Sequence, residues 1–412
     1  MKQNDELDRG ISITKAKIHW PSVCQFAGSI IAIFIAWGAS LAIFLVGWIE
    51  RSQSYTSLID TLSPFLLAGS LALSGLLLVP SAVFSLQRIL GKDQFVASDF
   101  SFFRHSNLWI LFLPILLLIG HWASQSPDYA WILLPPIHVA AVGLPVLWLA
   151  RLGVNRIPLG SLQRRWGVFA SGLILGPGLN VIAELAGLVL LAIGVLSWAS
   201  SQPELVERLT SLIVQFSNGD ISPEKAVESF SPYILNPLVI FSVLGYGSLV
   251  VPIIEEALKP IGVWLLFRRP ITSAEGFAAG ILSGAGYALF ESMLLATGGN
   301  EWLFVVTARI GTAVIHILTT GLMGMAIVSA WRHNQFISLA VTYCVNIILH
   351  GLWNGMTLLS VFRELANQSE ATTTPFWLER LAVATPSFLI FLTIGAFLLL
   401  LIGNRKLQTA YH

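Results

Sequence analysis

Between residues 251 and 354 the chain sets Glu255, Glu256, Lys259, Glu291, Arg309, His316, His350 and the amide of Asn354 into strongly apolar sequence. A charged side chain in such a setting costs at least ~2.5 kcal/mol on membrane-insertion scales, so each is a functional candidate by default. Carboxylates, imidazoles and a cation are also the parts of a hydrolytic centre. A carboxylate takes the proton of a water, and positioned donors stabilise the tetrahedral oxyanion that follows.

Helical spacing decides which of these groups can meet. Glu255 and Lys259 are i, i+4 neighbours, and their pairing would leave Glu256 about 100° away and free to face another helix. Tyr287 sits one turn before Glu291, Arg309 and His316 share a face at a separation of seven, and His350 and Asn354 are again i, i+4. Depth is a second test. At ~1.5 Å of rise per residue, Glu256 stands roughly 18 Å from Arg268, Glu291 roughly 27 Å from Ser273, His316 roughly 22 Å from Trp331, and His350 and Asn354 roughly 21 and 27 Å from Phe336. All of these fall in the middle or outer half of a ~30 Å hydrocarbon layer.

Two versions of the site follow, and spacing does not choose between them. In one, His316, His350 and a carboxylate (Glu291 or Glu256) hold Zn²⁺ while another carboxylate acts as base. In the other, Glu256 activates water directly, with His350 and Asn354 as oxyanion donors. Arg309 reads as a residue near the outer interface that snorkels or meets lipid phosphate. Glu184, with Asn180 one turn before it, reads as a group that bonds within the N-terminal helices.

The elements that must position these residues are membrane spans. Of the 412 residues 55% are hydrophobic and only 11% charged, with mean hydropathy +0.76, which excludes the soluble classes. A net charge of +1 leaves no field to hold nucleic acid. Cys24 and Cys344 lie in or beside apolar runs, which leaves no place for a disulfide framework or a cysteine zinc site. With about 20 residues needed per crossing, the chain reads as an all-α polytopic protein of the lipid bilayer. Ten spans fall near 24–48, 62–86, 107–123, 130–150, 166–198, 234–267, 275–298, 302–330, 336–358 and 383–403. The long segments at 166–198 and 234–267 carry Gly176-Pro177-Gly178 and Pro252, which predict breaks or kinks. Most of the 23 basic residues fall on one side if both termini are cytoplasmic, and that sets the expected orientation.

The organisation expected is a cytoplasmic segment over 1–22, a five-helix region of open role over 23–198, an extracytoplasmic segment over 199–232, a catalytic core over 233–358, and a loop with a last helix over 359–412. Leu205, Leu209, Leu212, Ile213 and Phe216 form an amphipathic stripe that lies on the outer leaflet, gates a cavity or merely connects. Ser360–Glu379, with Thr372-Thr373-Thr374-Pro375, reads as a loop, with Trp377 as an interfacial anchor. Gly276, Gly280, Gly284 and Gly286 predict close helix packing ahead of Glu291.

Glu255-Glu256-x-x-Lys259, an aromatic-x-x-x-Glu ending at Glu291, an intramembrane His316 and His350-x-x-x-Asn354 together resemble the PrsW-type intramembrane proteases. These are relatives of the CAAX prenyl endopeptidases. The resemblance covers about 235–358 and departs in carrying Tyr287 where Phe is usual. It implies cleavage of membrane-anchored protein substrates, reached sideways through the bilayer, by a multi-pass protein of a bacterial plasma membrane. Glu255, Glu256, Glu291, His316 and His350 would be the residues of catalytic importance, with Asn354 pairing with His350. The resemblance leaves the use of zinc and the oligomeric state open. Two other classes fit the same midplane residues: a proton-coupled transporter, although the N-terminal half repeats no such set, and a catalytically inactive binding protein.

Overall fold

A computed structural model of the chain describes residues 19–52, 62–92, 106–126, 128–295, 298–368 and 376–409. The expected N-terminal cytoplasmic segment, up to residue 18, and the Thr372–Pro375 stretch lie outside them. Among the described residues all regular structure is helical, and ten helices are long and apolar enough to cross a membrane. In chain order they are α1 Trp20–Ser52, α2 Leu62–Ile89, α3 Asn107–Ser124, α4 Ala130–Val154 and α5 Leu162–Ser200. Two shorter helices follow, α6 Pro203–Ser217 and α7 Pro223–Ile234. The remaining spans are α8 Pro237–Trp264, α9 Ser273–Leu294, α10 Glu301–His333, α11 Phe336–Asn367 and α12 Trp377–Gln408. The chain is a multi-pass integral membrane protein, with spans close to those read from hydropathy and a few residues longer at most ends.

The centre of the bundle is the pair α9 and α10, which are buried along most of their length. The small-residue run allows this. A Cβ at Gly280 would collide with the Thr320 carbonyl oxygen, and one at Gly284 would lie 2.9 Å from the His316 carbonyl oxygen. Backbone therefore meets backbone, as small residues permit between membrane helices. α5 approaches α9 from the other side at equally short range, with Gly172 against the backbone of Ser283 and Gly286 against the backbone of Phe169 and Leu173. Most of the large apolar side chains of α1, α3, α5 and α12 point away from the bundle, as lipid-facing helices require.

The two predicted breaks take one form. A π-turn over Ser171–Leu175 precedes Pro177 in α5, and another over Tyr246–Val250 precedes Pro252 in α8. Proline lacks the N–H that the carbonyl four residues back would accept, and the widened turn absorbs the conflict. The freed Ser248 carbonyl faces Gly351 of α11, where any Cβ would strike it. A further break follows Lys259 at Pro260, where Ser283 Oγ of α9 donates to the Lys259 carbonyl at 2.7 Å.

Residues 199–232 fold as two helices rather than one connector. The stripe on α6 is real, but no residue of that helix is buried. Ser360–Asn367, expected as loop, continues α11, because Leu359, Phe362 and Ala366 pack into an apolar cluster with Ile240 and Leu378. Trp377 stacks on Phe241, with ring centroids 5.5 Å apart. Cys24 and Cys344 are both free.

Because α9 and α10 meet backbone to backbone, Gly280→Leu should part them. A loss of about 1–3 kcal/mol, the usual cost of overpacking, is expected in reversible unfolding in detergent, whereas Gly194→Leu, where a Cβ meets nothing within 4 Å, should be neutral.

Candidate functional site

Lys259 is the point where four helices converge. It is fully buried near the end of α8, and its ammonium contacts acceptors on three helices. Nζ lies 2.9 Å from Glu255 Oε2, 2.9 Å from Glu256 Oε1, 2.7 Å from His316 Nδ1 on α10 and 3.1 Å from His350 Nδ1 on α11. The Tyr287 ring of α9 covers the ammonium at 5.2 Å from its centroid. That contact is the cation–π use of an aromatic at this position, and it is served by tyrosine as well as by phenylalanine.

An ammonium has three protons, and here it has four acceptors. His350 resolves the excess, since its Nδ1 is also 3.1 Å from Glu256 Oε1 and can donate there. The three ammonium protons then go to Glu255, Glu256 and His316. His316 Nδ1 acts as acceptor, so its proton sits on Nε2, which lies 2.6 Å from Glu291 Oε2. Glu291 is held in turn by Arg309, whose guanidinium is 3.1 Å from Oε1 and which donates through Nε to Ser292 at 3.1 Å. The result is one continuous network: Arg309, Glu291, His316, Lys259, then both members of the double glutamate with His350.

Several expectations change in this geometry. Glu256 is not left free by an exclusive Glu255–Lys259 pair, because one ammonium spans both carboxylates. Glu256 is sealed at 0% exposure and further receives Thr319 Oγ1 at 3.3 Å, while Glu255 keeps 6%. Arg309 is no snorkelling interfacial residue, since its side chain is 11% exposed and turned to Glu291. Asn354 donates to the Gly247 carbonyl at 3.0 Å, inside the π-turn of α8, so its amide N–H is committed to a helix contact. Glu184 does not stay among the N-terminal helices alone: the Tyr246 hydroxyl of α8 donates to its backbone carbonyl oxygen. His138 of α4 accepts from Trp302 Nε1 at 3.2 Å, away from the site.

Three supporting residues escaped the sequence reading. Thr319 and Ser283 sit on α10 and α9 within apolar runs that carry no visible signal. Asn346, buried on α11 and donating to the Thr319 carbonyl at 2.8 Å, could have been found as an amide one turn before His350.

The donors for a metal are partly those expected. Ligand atoms of Glu255, His316 and His350 all lie within 4.8 Å of one another, so the carboxylate of the set is Glu255, not Glu291 or Glu256. Glu291 instead orients His316 from outside. The chemistry of two imidazoles and a carboxylate suits zinc. The Nδ1 side of the site does not, because the Lys259 ammonium lies 2.7 Å from His316 Nδ1, 3.1 Å from His350 Nδ1 and 2.9 Å from Glu255 Oε2. A divalent ion with bonds near 2.0 Å could not share that position. As folded, the site fits an ammonium.

Comparison with known families decides what this cluster is similar to. Residues 232–379 match the PrsW family of intramembrane metalloproteases. The matched segment runs from the end of α7 to the start of α12 and includes every residue of the Lys259 network, while Asn180 and Glu184 fall before it. No curated protein and no solved structure matches the chain. The family is described as metalloproteases, and in this chain the Lys259 ammonium takes up the Nδ1 side of the Glu255, His316 and His350 donor set.

Removing Lys259 should therefore change metal binding. Wild type purified in detergent is expected to carry far less than one zinc per chain by plasma mass spectrometry, and Lys259→Met to take up more from the same zinc-supplemented buffer. About one zinc per wild-type chain would contradict this account of the site.

Proposed function

We propose that the chain is an intramembrane endopeptidase that hydrolyses peptide bonds of membrane-anchored proteins. One observation carries this reading: two acids, two imidazoles and a lysine converge on one buried point of four helices, inside the segment that matches the PrsW family. Membership in the wider group that includes the CAAX prenyl endopeptidases, a bacterial plasma-membrane location and cytoplasmic termini belong to the same proposal. They rest on the motif set and on the distribution of basic residues.

Glu255 is the acid that activates water. Of the double glutamate it alone keeps exposure, and it lies on the part of α8 that packs against α5. Glu256 is walled in and holds Lys259 and His350 in place. In the reaction the water oxygen bonds to the scissile carbonyl carbon and its proton passes to the Glu255 carboxylate. The oxyanion develops within the field of the Lys259 ammonium, a preorganised charge in a low-dielectric site. His350 turns Nε2 towards Glu255 Oε2 at 3.8 Å, the imidazole nitrogen nearest the reacting groups. On collapse the C–N bond breaks and the proton held by Glu255 goes to the departing amine nitrogen. A divalent metal on Glu255, His316 and His350 would supply Lewis-acid chemistry, and no step here depends on one.

Substrate reaches this side through lipid. α5, which forms the wall beside Glu255, turns Val181, Ile182 and Leu185 outward. A single-span protein can thus approach laterally.

The test is hydrolysis of fluorescein-labelled casein in detergent and of single-span reporter proteins in proteoliposomes. Glu255→Gln should lower kcat by about 10²–10⁴-fold, the usual contribution of a general base, in a protein that still folds. Asn354→Ala should keep most of the activity. Wild type that cleaves neither probe, or Glu255→Gln that cleaves as wild type does, would overturn the assignment. The transporter and inactive-binder readings would then be the ones to pursue.

A further inference from the structure

Away from the Lys259 network, α2, α4, α5 and α9 surround a partly open cavity of about 60 Å³. Leu77, Leu147, Phe169 and Ala285, one from each helix, form its apolar wall. Arg151 of α4 and Arg165 of α5 also line it, and no acidic side chain joins them there. Arg165 is only 5% exposed and gives Nε to the Gly160 carbonyl at 2.9 Å. Both arginines have partners within the protein, and the five N–H donors of a guanidinium let it serve several acceptors at once.

Along the helices the lining grades from charge to hydrocarbon. Arg151 lies three residues from the end of α4 and Arg165 three residues from the start of α5, each about 4.5 Å inside its span by helical rise. The start of α9 is at the same end of the bundle, since Arg164 pairs with Glu275 at 2.8 Å. Leu77 and Ala285 each lie twelve residues from the matching ends of α2 and α9, or about 18 Å deep. One leaflet's share of a ~30 Å hydrocarbon layer is about 15 Å. The cavity thus runs from cations at the interface to apolar wall near the midplane, which is the polarity profile of one phospholipid molecule.

Basic pockets between transmembrane helices bind anionic lipid head groups. We propose that this cavity is a site for an anionic phospholipid, whose phosphate meets Arg151 and Arg165 while one acyl chain lies along Leu77, Leu147, Phe169 and Ala285. The volume is too small to enclose a chain, so the chain keeps one side against the protein and the other in the bilayer. A free phosphate would meet the same two cations but leave the apolar wall uncovered. A zwitterionic lipid would bring a cation of its own towards them. Phe169 ties the lipid site to the core, because Gly286 of α9 lies against its backbone where α5 meets α9. A chain packed on Phe169 and Ala285 together braces that contact. The lipid site is independent of the peptidase reading.

Lipid titration of the full-length protein in detergent, read by native mass spectrometry and by thermal unfolding, tests this. Dioleoyl phosphatidylglycerol should bind wild type more tightly than dioleoyl phosphatidylcholine and raise Tm, whereas inorganic phosphate should leave Tm unchanged. Arg151→Gln should weaken phosphatidylglycerol binding about fivefold, the usual contribution of one basic residue beside anionic lipid, and leave phosphatidylcholine binding as it was. Arg332→Gln, which removes an exposed cation outside the lining, should change neither. Ala150→Phe, which fills the cavity from α4, should abolish the gain in Tm. Where that variant does not fold, the half-buried Arg151 carries the test. Equal binding of the two lipids by wild type, wild-type lipid preference in Arg151→Gln, or a full gain in Tm in folded Ala150→Phe each overturns the assignment. Phosphate that raises Tm as far as phosphatidylglycerol does would mean an anion site without a chain, and overturns the lipid assignment as well.

Discussion

A single buried ammonium with more acceptors than protons is the constraint on which this structure depends. An uncompensated charge in a bilayer-spanning bundle is costly, and a buried ion pair is stable only when geometry and further hydrogen bonds offset desolvation. Lys259 meets that condition by drawing Glu255 and Glu256 from its own helix, His316 from α10 and His350 from α11, under the ring of Tyr287 from α9. The protonation pattern of the site follows from its three donors. His316 must accept through Nδ1, which directs its proton to Glu291, and His350 must turn Nδ1 to Glu256. Each member is positioned because its neighbour already is, as in a buried network whose bonds reinforce one another.

Such a network needs helices that approach within backbone contact, and the packing supplies them. Gly280 and Gly284 let α9 lie on α10, and Gly172 and Gly286 let α5 lie on α9. Ser283, in the middle of that glycine-rich face, accepts the task of bonding the Lys259 carbonyl where Pro260 interrupts α8. Small residues thus serve two ends: they admit the neighbouring backbone, and they leave room for one hydroxyl at the helix break that aims the lysine. The same logic explains the two π-turns. Proline frees a carbonyl on each acid-bearing helix, and the irregular backbone is buried against a partner helix instead of lipid, the condition for tolerating it in a membrane.

Much of this was legible in the sequence. Hydropathy located the ten spans found among the described residues because the bilayer imposes one length scale on every helix. Ionisable residues in apolar runs marked Glu255, Glu256, Glu291, His316 and His350, since nothing but a shared site accounts for their cost. Their partners were less legible. The i, i+4 rule paired Lys259 with Glu255 alone, although an i, i+3 carboxylate is equally within reach when both side chains turn to one side. Arg309 looked interfacial because depth along one helix says nothing about which neighbour covers it. The bond of Asn354 to Gly247 and that of Tyr246 to the Glu184 backbone were hidden for the same reason: both depend on how α5 and α8 are bent, and spacing along one helix does not encode the bend. Asn180 and Tyr287 meet only through tertiary packing.

The central claim is that Lys259 is energetically coupled to the double glutamate and is more than a neighbour to it. A double-mutant cycle of Lys259→Met and Glu256→Gln, read by reversible unfolding in detergent, measures that coupling directly. Each single variant leaves a buried group without its partner and should lose about 3–5 kcal/mol. The double variant removes both charges and should lose far less than the sum, with a coupling of about 2–3 kcal/mol, at the upper end of values for residues in one network. Additive losses, with no coupling between the two sites, would mean that the ammonium does not organise the site and would contradict the account.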